Sequence, residues 1–222
     1  MRRDNEPPKL FMIGRVHTIM GTSTLDLDAQ LMLRVKDGDE DSFRILLEKH
    51  RNPVIHFVFR MVQDRAVAEE LSQEVFLRVY RSRTTYEVTA RFTTWLFRIA
   101  THLALNWLRD GRKERGQQRL DGGREAGNSD VEMAPREIAD RKPSVEQYMV
   151  YQTRLQEIRD AIALLPDKQR AAVLMHKYEE MEYSQIATVL ECSESAVKSL
   201  LFRAYETLRT RLAHMATGVP GK

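Results

Sequence analysis

One cysteine, Cys192, is all the thiol that this chain of 222 residues carries. An internal disulfide framework is therefore excluded, as is a zinc site built on cysteine pairs, and a reducing compartment fits. Long apolar runs are missing too. Nothing approaches the roughly 20 residues that a helix needs to cross a bilayer, and Leu10 to Ile13 is too short for a signal-peptide core, so the expected location is cytoplasmic, without membrane insertion. The six histidines are scattered, no glycine-rich loop lies between a strand and a helix, and no nucleophile, base and orienting acid share a local spacing. No enzymatic site, metal or cofactor is expected. Charge of one sign is also scarce: 35 Lys+Arg against 32 Asp+Glu leave +3, so any meeting with phosphate falls to local basic patches.

Helical periodicity is what the chain has in quantity. The length suffices for one large or two small domains, and the pattern gives an all-α fold: two small helical domains joined by a flexible linker. Residues 1–24 lack a sustained period and form a flexible lead. Residues 25–110 make the first domain. Asp26 and Asp28 suit a helix start ahead of Leu31, Met32 and Val35. Lys36 to Asp41 breaks that helix, Phe43, Leu46 and Leu47 begin the next stripe, and Pro53 marks a further helix start. Asp37, Asp39 and Asp41 imitate part of a calcium loop, but Ser42 stands where such a loop requires glycine, which leaves a solvated acidic turn.

From Asp64 to Tyr80, Ala68, Leu71, Val75 and Val79 form a core stripe, while Glu70, Gln73, Glu74 and Leu77 project from the other side with Glu69 and Tyr80 flanking. An acidic face that includes Leu77 suits docking on a basic partner helix; ordinary surface is the alternative. Thr84 to Arg91 is a polar loop around Tyr86. In the helix from Phe92 to Asp110, Leu96, Ile99, Leu103 and Trp107 face a core, and Arg98, His102, Leu105, Asn106 and Arg109 face away. Aromatics interleaved with cations suit single-stranded nucleic acid, whose bases stack and whose phosphates pair.

Residues 111–143 change composition to glycine, arginine, glutamate and serine without period, and read as the linker. Ser144 and Gln147 form a capping box that opens the second domain, 144–214, followed by a tail at 215–222. A helix runs to Leu165 and another from Pro166 to Tyr178. Tyr183 to Leu190 and the helix within Glu191 to Leu212 then make a helix-turn-helix pattern. Val197, Leu200, Leu201, Ala204, Leu208 and Leu212 share its inner stripe, whereas Lys198, Ser199, Phe202, Arg203, Glu206 and Arg209 lie opposite.

Taken in order, DAQLMLRVKDGDEDSF at 28–43, AEELSQEVFLRVY at 68–80, RFTTWLFRIATHLALNWLR at 91–109 and the stretch 165–204 resemble a bacterial RNA polymerase sigma factor of the extracytoplasmic-function class, group IV of the sigma-70 family. The resemblance covers nearly all of residues 25–212. It implies a first domain (region 2) that binds core RNA polymerase at the clamp helices of its largest subunit and melts the −10 element. The second domain (region 4) would read the −35 element, with the polymerase flap as a further contact.

Carried over residue by residue, Glu69, Glu70, Gln73, Glu74 and Leu77 match the polymerase-binding motif. Tyr86, Glu87, Val88, Arg98, His102, Asn106 and Arg109 match the −10 surface, and Lys198, Ser199, Phe202 and Arg203 the −35 positions. The family's linker passes near the polymerase active centre, and many members are held by an anti-sigma protein. Departures are Glu87 and Val88 where arginine-glycine is usual, His102 for asparagine, Asn106 for aspartate, and Glu191 for the turn glycine. The nearest alternative is a stand-alone helix-turn-helix regulator, and a protein-only adaptor is another. The chain ends soon after its last helix, so no large C-terminal regulatory domain is expected.

Overall fold

A computed structural model describes residues 26–118 and 145–216, and among these it contains helices and turns but no strand. Helix α1 (Leu27–Lys36) is capped by Asp26, whose side chain accepts from the Asp28 backbone N–H. Gly38, at φ 99°, turns the chain. Asp39 then caps α2 (Glu40–Val62), accepting from Asp41 and Ser42. The acidic run is thus a pair of helix ends joined by a turn, where a carboxylate offsets exposed N–H groups and the positive end of the helix dipole.

Pro53 does not start a helix. It lies inside α2, which runs for 23 residues. Proline removes one N–H and usually breaks a helix. Here Val54, Phe57, Val58 and Met61, which follow it, are buried almost completely, and Lys49, whose carbonyl loses its donor, lies on the exposed side where water can replace it. Burial of side chains of this size, about 2 kcal/mol each, outweighs one lost backbone bond.

Helix α3 (Arg65–Arg81) begins at Asp64, packs along α2 through Ala68, Ser72, Val75 and Val79, and leads into a single 3-10 turn, Arg83–Thr85. Helix α4 (Phe92–Gln118) crosses the others, with Phe97 set edge-on to Phe57 at 5.2 Å between ring centroids. It continues eight residues beyond Asp110, into the stretch whose composition suggested linker. Arg112, on that extension, pairs with Asp167 in the first turn of α6. A tertiary ion pair thus lies where composition alone predicted loop. Residues 119–144, including the Ser144 cap, lie outside the described residues.

The second domain comprises α5 (Val145–Ala163), α6 (Asp167–Tyr178), α7 (Tyr183–Leu190), α8 (Glu194–Arg211) and the short α9 (Ala213–Ala216). Pro166 precedes α6 at its cap position, and α6 and α7 pack on α8 through Leu174, Ile186, Val189, Val197, Leu201 and Ala204. The two domains do not stand apart. Helix α7 lies against α4 and α6 against α2, so that their buried residues form one continuous core.

Candidate protein and nucleic-acid interfaces

Between α2 and α3 lies an open groove of about 860 Å³. Helix α3 contributes Glu69, Gln73, Phe76 and Leu77 to it; α2 contributes Phe43, Leu47 and Ile55 among others. The sequence pattern put Leu77 outside, and it is 48% exposed. Glu70 and Gln73 are exposed as well. Glu69 and Glu74 instead hold partners on their own helix, Arg65 at 3.0 Å and Arg78 at 2.7 Å. Such exposed i,i+4 pairs are worth only about 0.3–0.5 kcal/mol, and a basic partner could exchange them at little cost. The α2 wall was missed in the sequence. Its signal was an apolar stripe too wide for one core face, running from Phe43 through Leu47 to Ile55.

The loop after α3 is arranged differently from the expectation at one position. Tyr86 is 4% exposed, its ring against Trp95 at 4.9 Å, and Lys36 Nζ donates to its carbonyl at 2.9 Å. Burial pushes its phenol up to about 12. Its apolar ring gains more from packing on Trp95 than from water, so Tyr86 supports the loop from within rather than presenting itself. Glu87 and Val88, immediately after it, are exposed.

On α4, Arg98, Asn106 and Arg109 are exposed and His102 is partly so, whereas Leu96, Leu103 and Ala104 are buried. Trp107 packs on the core while staying partly exposed. Arg98 is bound across the molecule: it donates to Glu191 Oε1 at 2.5 Å, and His102 Nε2 lies 3.8 Å from the same oxygen. Burial lowers the His102 ring below the usual histidine value against the pull of Glu191, which favours its neutral form. Arg109 pairs at 3.4 Å with its neighbour Asp110.

The helix-turn-helix is built from its caps. The side chain of Gln185 accepts from the Glu182 N–H at 2.9 Å, closing the first turn of α7. Glu191 ends that helix at φ 52° and ψ 51°, and Ser193 opens α8 by accepting from the Ala196 N–H at 3.2 Å. Cys192, between them, is half-buried against the core. With Val197, Leu201 and Ala204 buried, Lys198, Ser199, Phe202 and Arg203 are left on the outer face, Phe202 at 68% exposure. The Ser199 hydroxyl donates to the Ser195 carbonyl at 3.0 Å, leaving its oxygen free to accept. Cations beside a polar hydroxyl and an uncovered ring on one helix face can contact phosphates and base edges.

Paired helical domains, the second closed by a helix-turn-helix, make this a DNA-binding transcription protein. Residues 46–114 match the family model described as Sigma-70 region 2, and residues 155–208 the one described as Sigma-70, region 4. The RNA polymerase sigma-H factor of Pseudomonas aeruginosa is 30% identical over 185 residues, covering 83% of this chain and 93% of that one. RNA polymerase sigma factor CarQ of Myxococcus xanthus is 33% identical over 186 residues, covering 83% and 97%. The ECF RNA polymerase sigma factor SigW of Bacillus subtilis is 29% identical over 179 residues, covering 81% and 93%.

Among solved structures, CnrH in complex with the cytosolic domain of CnrY aligns with a TM-score of 0.60 at 16% identity, over 85% of this chain and 99% of that one. Sigma factor RpoE of Bartonella quintana, in complex with the anti-sigma factor NepR, gives 0.53 at 19%, over 77% and 96%. At these identities the likeness speaks for the fold. The chain belongs to the sigma-70 family, in its extracytoplasmic-function class. It is a promoter-directing subunit of RNA polymerase rather than a stand-alone regulator. Among the described residues, no helix is long and apolar enough to cross a membrane.

Proposed function

We propose that the α2/α3 groove seats the clamp helices of the largest polymerase subunit, with Gln73 and Leu77 at its centre and Glu69, Glu70 and Glu74 supplying charge. The exposed groove with an acidic and apolar wall is the observation that carries this reading. Helix α8 reads the −35 element: Lys198 and Arg203 position it on phosphates, and Ser199 and Phe202 face base edges. Arg98, His102, Asn106 and Arg109 meet the −10 region as it opens, while Glu87 and Val88 face the unpaired bases and Tyr86 holds that loop in place.

The chain is not itself catalytic and works in the cytoplasm. The polymerase makes RNA, and this subunit selects where. Each domain presents a small contact surface, so promoter affinity arises chiefly when polymerase holds both domains at once, by effective concentration. An anti-sigma protein is its regulatory partner, by analogy with the complexes of CnrH and RpoE. Gel-shift assays on a promoter fragment test the central part. Binding should be weak with the chain alone and strong with core polymerase added, and Lys198→Glu with Arg203→Glu should abolish −35 selection while leaving polymerase binding intact. Tight, specific binding by the free chain would overturn the reading.

A further inference from the structure

Glu87 is a carboxylate on a loop that opened DNA has to approach. Its side chain is exposed and has no hydrogen-bond or ion-pair partner among the described residues. Cations close to it in the fold are engaged elsewhere. Arg83 donates to the Tyr80 carbonyl and lies 4.1 Å over that ring, and Lys36 donates to the Tyr86 carbonyl. A carboxylate without a cation repels phosphate, so Glu87 does not serve the backbone of a DNA strand. Ionised, it only accepts hydrogen bonds, and on unpaired DNA the donors are the N–H groups of base edges.

The loop is held in shape before any DNA arrives. The Tyr86 ring lies 4.9 Å from Trp95, Trp95 lies 5.9 Å from Phe92, and Phe92 lies 5.4 Å from the ring of buried His50 on α2. His50 bonds Asp28 of α1 at 2.9 Å, and α1 returns to the loop through Lys36 at 2.9 Å from the Tyr86 carbonyl. This circuit through α1, α2 and α4 fixes Tyr86 by both its ring and its carbonyl. Beyond it, the Thr89 N–H donates to the Glu87 carbonyl at 2.9 Å, a tight turn with the half-exposed Val88 at its tip. With the backbone fixed, binding a base costs chiefly the freedom of the Glu87 side chain.

The bases differ in what they offer such a group. Guanine alone carries adjacent donors on its pairing edge, N1–H and the N2 amine, spaced to meet both oxygens of one carboxylate. Adenine and cytosine present an amine beside a ring nitrogen whose lone pair faces the second oxygen, and thymine presents a single N–H between carbonyls. We infer that Glu87 is a specificity-determining residue of the −10 loop. It reads an unpaired guanine by accepting from N1–H and the N2 amine, while Val88 packs on the face of the base. The inference rests on the assignment of this loop to the −10 region.

The test uses the complete chain with core polymerase on a promoter from which that complex starts transcription. The −10 region is held open by mismatches, each strand is randomised there in turn, and the bound templates are sequenced. They should be enriched in guanine at one unpaired position by about five- to a hundredfold. Glu87→Ala should remove the preference. Glu87→Gln, whose amide sets a donor beside an acceptor, should move it to adenine or cytosine. Inosine in place of that guanine lacks only the N2 amine; it should cost the natural chain most of the enrichment and Glu87→Ala nothing. Because the Glu87 side chain has no partner in the fold, these variants should keep the natural chain's circular dichroism spectrum.

Enrichment of a different base by the natural chain, a guanine preference that survives Glu87→Ala, or inosine bound as well as guanine overturns the inference. A photo-crosslinking amino acid in place of Val88 tests the underlying assignment separately. Crosslinks to the opened −10 region without a Glu87-dependent preference for guanine leave that assignment standing and overturn the inference alone. No crosslink to that region removes both.

Discussion

Arg170 is 8% exposed, and it carries more of the structure than any feature of the sequence announced. Its guanidinium donates to the carbonyls of Ala163 and Leu165, where α5 ends, and to that of Met61, where α2 ends. The last carbonyls of a helix lack partners within it, and one planar fork satisfies two helix ends in different domains. Replacing Arg170 by methionine leaves those carbonyls buried and unpaired and should cost on the order of 2 kcal/mol in chemical denaturation. Arg170→Lys should recover little, because an ammonium lacks the fork geometry.

Nearby, burial raises Glu179 to about 7. The folded chain therefore holds this proton more tightly than the unfolded one, whose carboxyl titrates near the ordinary glutamate value of 4.5. The associated stability is complete below that lower value and is lost as pH rises through about 7. His50, lowered chiefly by burial, acts with the opposite sign on acidification, so only a comparison with a variant isolates the glutamate. Glu179→Gln should be the more stable protein at pH 8, by on the order of 2 kcal/mol, and the gap should shrink towards pH 5. Thermal unfolding across that range checks it, and an equal gap at both ends would contradict the assigned cause.

At the scale of elements, the α2/α3 groove invites the most direct test. Leu77→Ala and Gln73→Ala together should weaken capture of core polymerase by at least about tenfold, the usual effect of removing a central contact, while the helical circular dichroism spectrum stays unchanged. Unaltered capture would move the polymerase contact elsewhere. Much of this was legible in the sequence. Periodicity located α3, α7 and α8 and the exposed side of each, because an amphipathic helix buries one stripe and its residues report that locally.

What was not legible depended on other elements. Pro53 sits mid-helix because buried neighbours downstream outweigh a lost bond. Helix α4 extends past Asp110 to a partner, Asp167, that is distant in sequence. Tyr86 turned inward because Trp95 offered a face for its ring. Asp28 does lie in the first turn of α1, as its residue type suggests, but it is also buried between Lys49 at 2.7 Å and His50 at 2.9 Å, tying α1 to α2. No local pattern marks such pairs.

For the whole molecule, the buried residues of both helical domains form one core, and the surfaces assigned to promoter DNA are unequally available. The outer face of α8 is open, whereas Arg98 of α4 is engaged by Glu191. The decisive measurement is run-off transcription with core RNA polymerase from the source organism on fragmented genomic DNA, with the RNA 5′ ends sequenced. The account predicts defined starts sharing −35 and −10 sequences, dependent on this chain and lost with Glu70→Ala and Gln73→Ala together. Starts that persist unchanged in that double variant, or a folded chain that directs none with an active core enzyme, would contradict it.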